Sequence, residues 1–547
     1  WYRTADLRRA SDVASARRVL VVPFENATGD PALAPLGRMA ADWVAQGLAM
    51  TGVVEVAGAP TLGAAGNEVE LKTAAAEVGA GTVVSGTYYT EGDSVRVQAR
   101  VTNVAEWKVA RAVAPVSAAK AAPSKLLEPL RQRVMAVLAV DHDPRYAALN
   151  TGAPPPTYDA YDQFLAGIDV FERGDFAGSI PYFTRAAALD SSYVQPLVRA
   201  ADTYLILGRL AEADTLVRLL ERSRQALTPA DRAGVARLRG ILDGDRMAEL
   251  AGARAVAAAA PGAQLPYFQH ALSAAAAARP AEALMAIVRA PEFGRTRPVL
   301  VAGTYWSVIT TAHHMLGDYK AELQAANEAR RYHPESREIL GDELRALAAL
   351  GRLDDLTPRL DQLEVMAPPE RRSSVPALLT SLAEELDAHG HVEEARRVLR
   401  RAVAWQRARS AQERQIPRAR AELARALYVL GEYDTAQPLF EALAAETPAD
   451  PRYVLQLGLI EARRQRRAEA QQIGERLRAL KGPYDHGRTT YALAQLAAVL
   501  GDRDGAMALL NQALAEGVEY GQSLHADPDL ASLRGDPRFR ELLRPKG

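Results

Sequence analysis

At 547 residues and 59.0 kDa the chain is too long for one compact core, so several domains or an extended repeat array are expected. Lys+Arg number 66 against Asp+Glu 67, a balance of -1, which excludes wholesale tracking of nucleic-acid phosphates. Cysteine is absent, which removes disulfides, thiolate metal sites and cysteine nucleophiles together.

Residues 1–16 are polar and Arg-rich and read as a linker or juxtamembrane tail. Trp1-Tyr2-Arg3 is the aromatic and cationic kind of flank found at a membrane interface, so membrane attachment is expected only through a segment ahead of residue 1. The longest apolar runs, Val19–Phe24 and Ala255–Ala260, fall far short of the ~20 residues a span needs.

From Arg18 the pattern changes. Arg18-Val-Leu-Val-Val-Pro-Phe24 is a short apolar run rich in β-branched residues, as in a buried strand. Turn residues 26–31 lead into an amphipathic helix over 35–50, a short strand at 53–56 and a helix over 71–78. Three strands follow at 82–90, 94–102 and 108–116, the first two joined by Glu91-Gly92-Asp93, a tight hairpin signal. A helix over 123–140 completes an α+β domain assigned to residues 17–150, with a mixed sheet covered by helices. Ala153-Pro-Pro-Pro156 is a stiff break and marks its end.

Beyond the prolines strand signals nearly vanish and a repeat begins. Gly174-Asp-Phe176 and Gly208-Arg-Leu210 are 34 residues apart, and so are Gly317-Asp-Tyr319 and Gly351-Arg-Leu353. Gly390, Gly431 and Gly501 mark further units, with Gly244 and Ala278 less regular. A helical period of 34 is the tetratricopeptide signature: each hairpin needs small residues where helices cross, a Gly to leave the first helix and a larger apolar wedge. The unit with Leu423, Ala424, Leu427, Gly431, Tyr433, Ala436, Phe440 and Pro448 matches the pattern in order. So do Gly167, Gly174, Phe176, Phe183 and Ala186 in the first unit, and Trp306, Gly317, Tyr319, Ala329 and Pro334 in another. Gln465 stands where a turn Gly is usual, and Glu249 where a small residue is. An all-α superhelical solenoid of about ten units is assigned to residues 157–517, with a capping segment at 518–547.

The stretch Val19-Leu-Val-Val-Pro-Phe-Glu-Asn-Ala-Thr-Gly-Asp30, followed by a helix, Gly79-Ala-Gly-Thr-Val-Val-Ser-Gly86 and a Val-rich hairpin, resembles TolB amino-terminal-like domains. Such domains precede tetratricopeptide arrays in bacterial membrane-bound serine/threonine kinases, adenylate cyclases and transcriptional regulators. Ala526-Asp-Pro-Asp-Leu-Ala-Ser-Leu-Arg-Gly-Asp-Pro-Arg-Phe539 looks like the C-terminal end of these chains. The resemblance implies the non-kinase, sensor half of a kinase on the extracytoplasmic (periplasmic) side of the inner membrane. A cytoplasmic interaction part of a regulator or cyclase is the alternative. The chain carries no Gly-rich strand loop, His-Arg-Asp loop or Asp-Phe-Gly. A kinase, if part of the protein, is expected before Trp1.

Chemistry-bearing motifs are scarce. Gly79-Ala-Gly81 runs from helix into strand, the reverse of a phosphate loop. His313 and His314 are adjacent on a helix and point about 100° apart, so no metal is expected there; His313 is expected within its hairpin and His314 towards the groove. Asp243/Asp245 and Asp502/Asp504 lack the further oxygens of a calcium loop and suit turns. No Gly-x-Ser-x-Gly elbow occurs. An enzyme with an active site between the two domains would need clustered titratable groups that the sequence does not display. No cofactor is expected.

The first helix of each hairpin should line a concave groove able to hold a protein or peptide. In the first unit that line is Tyr161, Phe164, Ile168 and Phe171. An exposed apolar row of this kind calls for a cover, either the N-terminal domain or its linker, or else a peptide; buried core is the alternative. Near the other end the line is Arg418, Arg425, Arg452, Arg463 and Arg488, suited to carboxylates through bidentate hydrogen bonds. Glu422 and Glu461 nearby would instead make it a solvated charged face.

Overall fold

The computed structural model describes residues 17–58, 68–142, 156–223, 227–295, 299–366, 374–519 and 524–546. The tail at 1–16 and most of the proline break lie outside them. The chain divides into two compact units, one of Trp1–Phe171, Asp175–Gly208 and Arg222–Asp231, the other of Glu172–Gly174, Arg209–Glu221 and Arg232–Gly547.

The first unit opens with seven strands: β1 Arg18–Val21, β2 Glu25–Asn26, β3 Glu55–Val56, β4 Thr82–Glu91, β5 Ser94–Asn103, β6 Lys108–Ala112 and β7 Val116–Ala119. They form one mixed sheet in the order β3-β1-β4-β5-β6, with β2 also on β4 and β7 also on β5. β1 lies parallel to β3 and β4, while β4 and β5 form an antiparallel hairpin from Thr82↔Asn103 to Glu91↔Ser94. The span read as one strand at 108–116 is two. β6 pairs the far end of β5 and β7 the near end, separated by residues 113–115. Pro115 has no N–H to give a ladder, which suits the interruption.

Helices α1 Ala34–Thr51 and α3 Leu127–His142 share a core with one sheet face, where Val19, Val21, Val84, Val95 and Val97 meet Val44, Leu48, Leu130 and Val134. Helix α2 Glu68–Glu77 covers the other, with Leu71, Ala74 and Ala75 against Leu20, Val22 and Val83. The alternation of strand residues, period 2, divides them between the two cores. Gly86 is required at the centre: a Cβ there would lie 2.7 Å from the buried Phe24 ring.

The remaining helices, in chain order, are α4 Tyr158–Glu172, α5 Phe176–Leu189, α6 Gln195–Ile206, α7 Leu210–Glu221, α8 Pro229–Asp243, α9 Arg246–Ala259, α10 Gln264–Ala276, α11 Pro280–Ile287, the one-turn α12 Glu292–Arg295, α13 Val299–Met315, α14 Tyr319–Tyr332, α15 Arg337–Ala349, α16 Leu353–Val365, α17 Val375–Ala388 and α18 Val392–Arg407. They continue with the short α19 Ala411–Arg414, α20 Pro417–Leu430, α21 Tyr433–Glu446, α22 Pro451–Arg463, α23 Arg467–Ala479, α24 Arg488–Val499, α25 Arg503–Ala515 and α26 Pro537–Leu543. The fold is an α+β domain followed by an all-α array of helical pairs. None of these helices is long and apolar enough to cross a membrane.

The turn signals have a backbone cause. Gly174, Gly208, Gly244, Gly317, Gly351, Gly390, Gly431 and Gly501 all have φ between 67° and 87°, the left-handed conformation that ends a helix without steric cost to glycine. Gln465 takes the same conformation at φ 63° and Ala278 at 59°. The following Asp often opens the next helix: Asp175 accepts from Gly178 N, Asp245 from Met247 N and Ala248 N, Asp318 from Ala321 N and Asp502 from Gly505 N. The acidic pairs at 243/245 and 502/504 thus each supply a helix cap. Glu249 is accommodated by partners, accepting from Ser273 Oγ at 2.8 Å and Arg246 Nη1 at 3.0 Å.

Candidate functional site

In the first unit, Tyr161, Phe164, Ile168 and Phe171 are buried. Phe164 packs on Phe183 and Tyr193 at centroid distances of 5.8 and 5.4 Å, and Phe171 on Phe176 at 4.9 Å, with the Arg199 guanidinium over its ring. These rings form the interior of their own hairpin, with no row open to a peptide. The helix meets the α/β domain through residues just before them. Tyr158 packs against that domain's core. Gln132 on α3 accepts from Asp159 N at 3.0 Å and donates to Asp159 Oδ1 at 3.2 Å, while Asp190 accepts from Thr157 N at 2.8 Å.

The second unit returns on itself. Tyr484 Oη donates to Asp214 Oδ2 at 2.7 Å, His486 Nε2 lies 2.8 Å from Leu242 O, and Arg246 Nε donates to Gly517 O at 3.0 Å. The segment from Leu524 onward, largely non-helical before α26, then runs against the first helices of several pairs. Leu524, Leu530, Leu533, Phe539 and Leu542 form a core with Ala494, Ala498, Ala506, Met507 and Leu510 of α24 and α25. Asp527 Oδ2 accepts from Tyr491 Oη at 2.6 Å and Gln495 Nε2 at 2.8 Å. Arg534 reaches Asp387 at 3.0 Å, and Lys546 N donates to Ala278 O at 2.7 Å.

Asp529, only 1% exposed, is the anchor of this segment. Its carboxylate accepts from Tyr428 Oη at 2.5 Å, Arg463 Nη2 at 3.0 Å and Arg425 Nη1 at 3.4 Å. Arg425 also donates to Glu384 at 2.7 Å. Burial raises the Glu384 carboxyl against the pull of Arg425, and it raises Asp527, helped by the neighbouring Asp529 charge. Burial also opposes the charge on Arg425, but Glu384 and Asp529 reverse this and hold it firmly protonated. The Tyr428 hydroxyl is pushed well above its ordinary range, first by burial and then by the Asp529 charge.

Of the five arginines singled out in the sequence, Arg425 and Arg463 are brought together and the other three are not. Arg418 donates to Glu422 one turn on, Arg452 to Asp450 at its helix start, and Arg488 to the carbonyls of Asp485 and Tyr484. Arg452 and Arg488 are satisfied by the turn that precedes their helix. Periodicity along the array could not separate these cases, because the inner-face assignment ignores local acceptors. Tyr428 and Asp529 had only indirect signals, a Tyr one turn after Arg425 and the Asp-Pro-Asp run.

A second polar centre lies further along the array. His314 on α13 and Glu385 on α17 are buried, and His525 of the C-terminal segment is partly so. His314 Nδ1 is 2.8 Å from Glu322 Oε2, and its Nε2 is 3.4 Å from both His525 Nε2 and Glu385 Oε1. His525 Nε2 is 3.1 Å from Glu385 Oε2, and His389 Nε2 is 2.8 Å from Glu385 Oε1. Burial opposes ionisation of Glu385, yet the adjacent His389 and His525 imidazoles hold its carboxyl far below the usual range. Arg345 bridges Glu322 at 2.7 Å and Asp342 at 3.0 Å. His313, by contrast, lines a cleft of about 430 Å³ with Tyr305, Trp306 and Glu328. No metal is expected at the adjacent pair 313/314, but the fold brings His314 to residues far away in sequence.

The fold and these sites define a helical-repeat protein with its own C-terminal segment laid along the first helices of its pairs. No family model matches the chain, and no curated protein matches it. Three solved structures resemble it weakly. Yeast Tom70 has 14% identity, 71% of this chain and 92% of that one covered, and a TM-score of 0.33. A human IFIT1 dimer with PPP-AAAA has 15% identity, 64% and 88% covered, and a TM-score of 0.29. The APC/C hetero-tetramer Cut9-Hcn1 has 13% identity, 77% and 94% covered, and a TM-score of 0.27. At these scores the likenesses carry no argument. The repeat assignment rests on the chain's own helical pairs and turn geometry.

Proposed function

We propose that this chain is a non-catalytic protein-binding scaffold, the sensor region of a larger bacterial signalling protein, whose groove holds an extended acidic segment. The observation that carries the reading is the grip on Asp529: two guanidiniums and a phenol from α20 and α22 converge on one carboxylate in a non-helical stretch of chain. Partly buried arginines recognise a carboxylate strongly through charge-assisted hydrogen bonds. The chain's own segment occupies this position, so an outside ligand of the same chemistry would compete with it.

The kinase context and the periplasmic location extend the same reading and draw on the resemblance of the Val19–Asp30 and Gly79–Gly86 stretches. A reporter fusion that reads the side of the membrane tests the location. For binding, the probe is a labelled peptide copying residues 524–536, measured by anisotropy. It should bind Asp529→Ala more tightly than the parent chain, and Arg425→Ala/Arg463→Ala should abolish that gain. Equal binding to all three, or to none, would overturn the groove assignment.

A further inference from the structure

We propose that His314, Glu385 and His525 form a zinc-binding site that clips the C-terminal segment to the helical array. One ligand atom from each of these three residues lies within 4.8 Å of the others. They come from α13, α17 and the final segment, so no local sequence pattern unites them.

Geometry supports the cation first. Zinc with imidazole ligands at about 2.0–2.1 Å in tetrahedral array separates two ligand nitrogens by about 3.3 Å. His314 Nε2 and His525 Nε2 are 3.4 Å apart, and Glu385 oxygens are 3.4 and 3.1 Å from them. Two histidines and a carboxylate are a familiar zinc donor set that leaves a fourth position. His389, already 2.8 Å from Glu385, stands beside it.

The arrangement of protons points the same way. A carboxylate only accepts, so Glu322 at 2.8 Å draws the imidazole proton of His314 to Nδ1. His314 Nε2 is then the ring atom that faces His525 Nε2 and Glu385 Oε1, each at 3.4 Å. This carboxylate–histidine pairing is the usual outer support of a zinc ligand, fixing its tautomer and orientation.

Charge is the third observation. Arg345 serves the buried carboxylates of Glu322 and Asp342, whereas the buried Glu385 is met by the imidazoles of His314, His389 and His525. Burying a carboxylate is expensive unless it is paired, and a divalent cation held among these imidazoles would pair Glu385. Imidazole-rich sites favour zinc over magnesium, which prefers oxygen ligands.

The test uses the full chain stripped with a chelator and titrated with ZnCl2 in excess MgCl2 by calorimetry. Cobalt substitution is followed in visible absorption, and amide exchange of residues 524–543 is measured with and without zinc. One zinc per chain is expected, with a tetrahedral cobalt spectrum. Protection of the segment should rise, towards about a hundredfold at zinc a hundred times its Kd. His314→Gln and His525→Gln should each weaken binding about a hundredfold or more, while His313→Gln should not. Absence of uptake by the unaltered chain would leave only a shared proton between the rings and overturn the site. Zinc binding that survives both ligand variants, or that adds no protection to the segment, would overturn it equally.

Discussion

Replacing Asp529 by Ala removes the charge to which three side chains are aimed. The loss can be worked from its contacts. Arg463 at 3.0 Å and Tyr428 at 2.5 Å donate strong bonds to the carboxylate, whereas Arg425 at 3.4 Å donates a weak one. Hydrogen bonds to a charged group contribute about 1.5–3 kcal/mol each. Arg425 keeps Glu384 and Arg463 keeps Pro528 O, so neither guanidinium is left wholly bare. The net cost is therefore about 3–5 kcal/mol, the range found when a buried ion pair loses one partner. Asp529→Asn keeps an acceptor for Tyr428 and should cost about half as much. The apolar anchors Leu530, Leu533 and Phe539 remain, so the segment stays docked and opens more often. Hydrogen exchange of amides at 530–543 reads that opening directly. At 1.4 kcal/mol per decade, exchange there should accelerate about a hundredfold or more in Asp529→Ala. Acceleration below about threefold would show that the carboxylate is not what holds the segment, and the reasoning would fail.

Two further outcomes follow from particular residues. Gln465→Gly should stabilise the second unit by about 1 kcal/mol, because Gln465 is exposed and holds φ 63°, a conformation costly to any residue with a Cβ; an unmoved urea midpoint would refute this. Glu282 accepts two bonds from Arg254, both at 2.6 Å, and lies 2.7 Å from His270. The Arg254 bonds outweigh burial and bring its carboxyl from 4.5 down to about 2. A carboxyl depressed in the folded state contributes stability that is complete above its unfolded value and lost as pH falls. Glu282→Gln should thus cost about 1–2 kcal/mol at pH 7 after solvent screening, and the difference from the parent should vanish between about pH 4.5 and pH 2. A difference that persists at pH 2 would count against the assignment.

Much of this was readable along the chain. The turn glycines at 174, 208, 317, 351, 390, 431 and 501 mark left-handed helix ends, a local requirement that leaves a local residue. The β4–β5 hairpin was legible for the same reason, since Gly92 and the alternation of 94–102 are neighbours in sequence. Gln465 shows where local reading stops: nothing in its side chain signals the turn, because the surrounding helices impose the conformation on it.

The two polar centres belong to the other kind of information. Periodicity assigned Arg418, Arg425, Arg452, Arg463 and Arg488 to one face, but only two of them converge. Nearby acceptors such as Asp450 capture the rest at shorter entropic cost than a distant partner could. The row at Tyr161–Phe171 reads identically whether exposed or buried, and only the arrival of Phe183 and Tyr193 decides. His314, Glu385 and His525 are separated by up to 211 residues. Helix period, turn type and cap are set within a few residues by backbone sterics and side-chain hydrogen bonds, and sequence determines them by itself. Which charges meet depends on how pairs stack and where the last segment returns, so long-range packing alone decided the centres at Asp529 and Glu385.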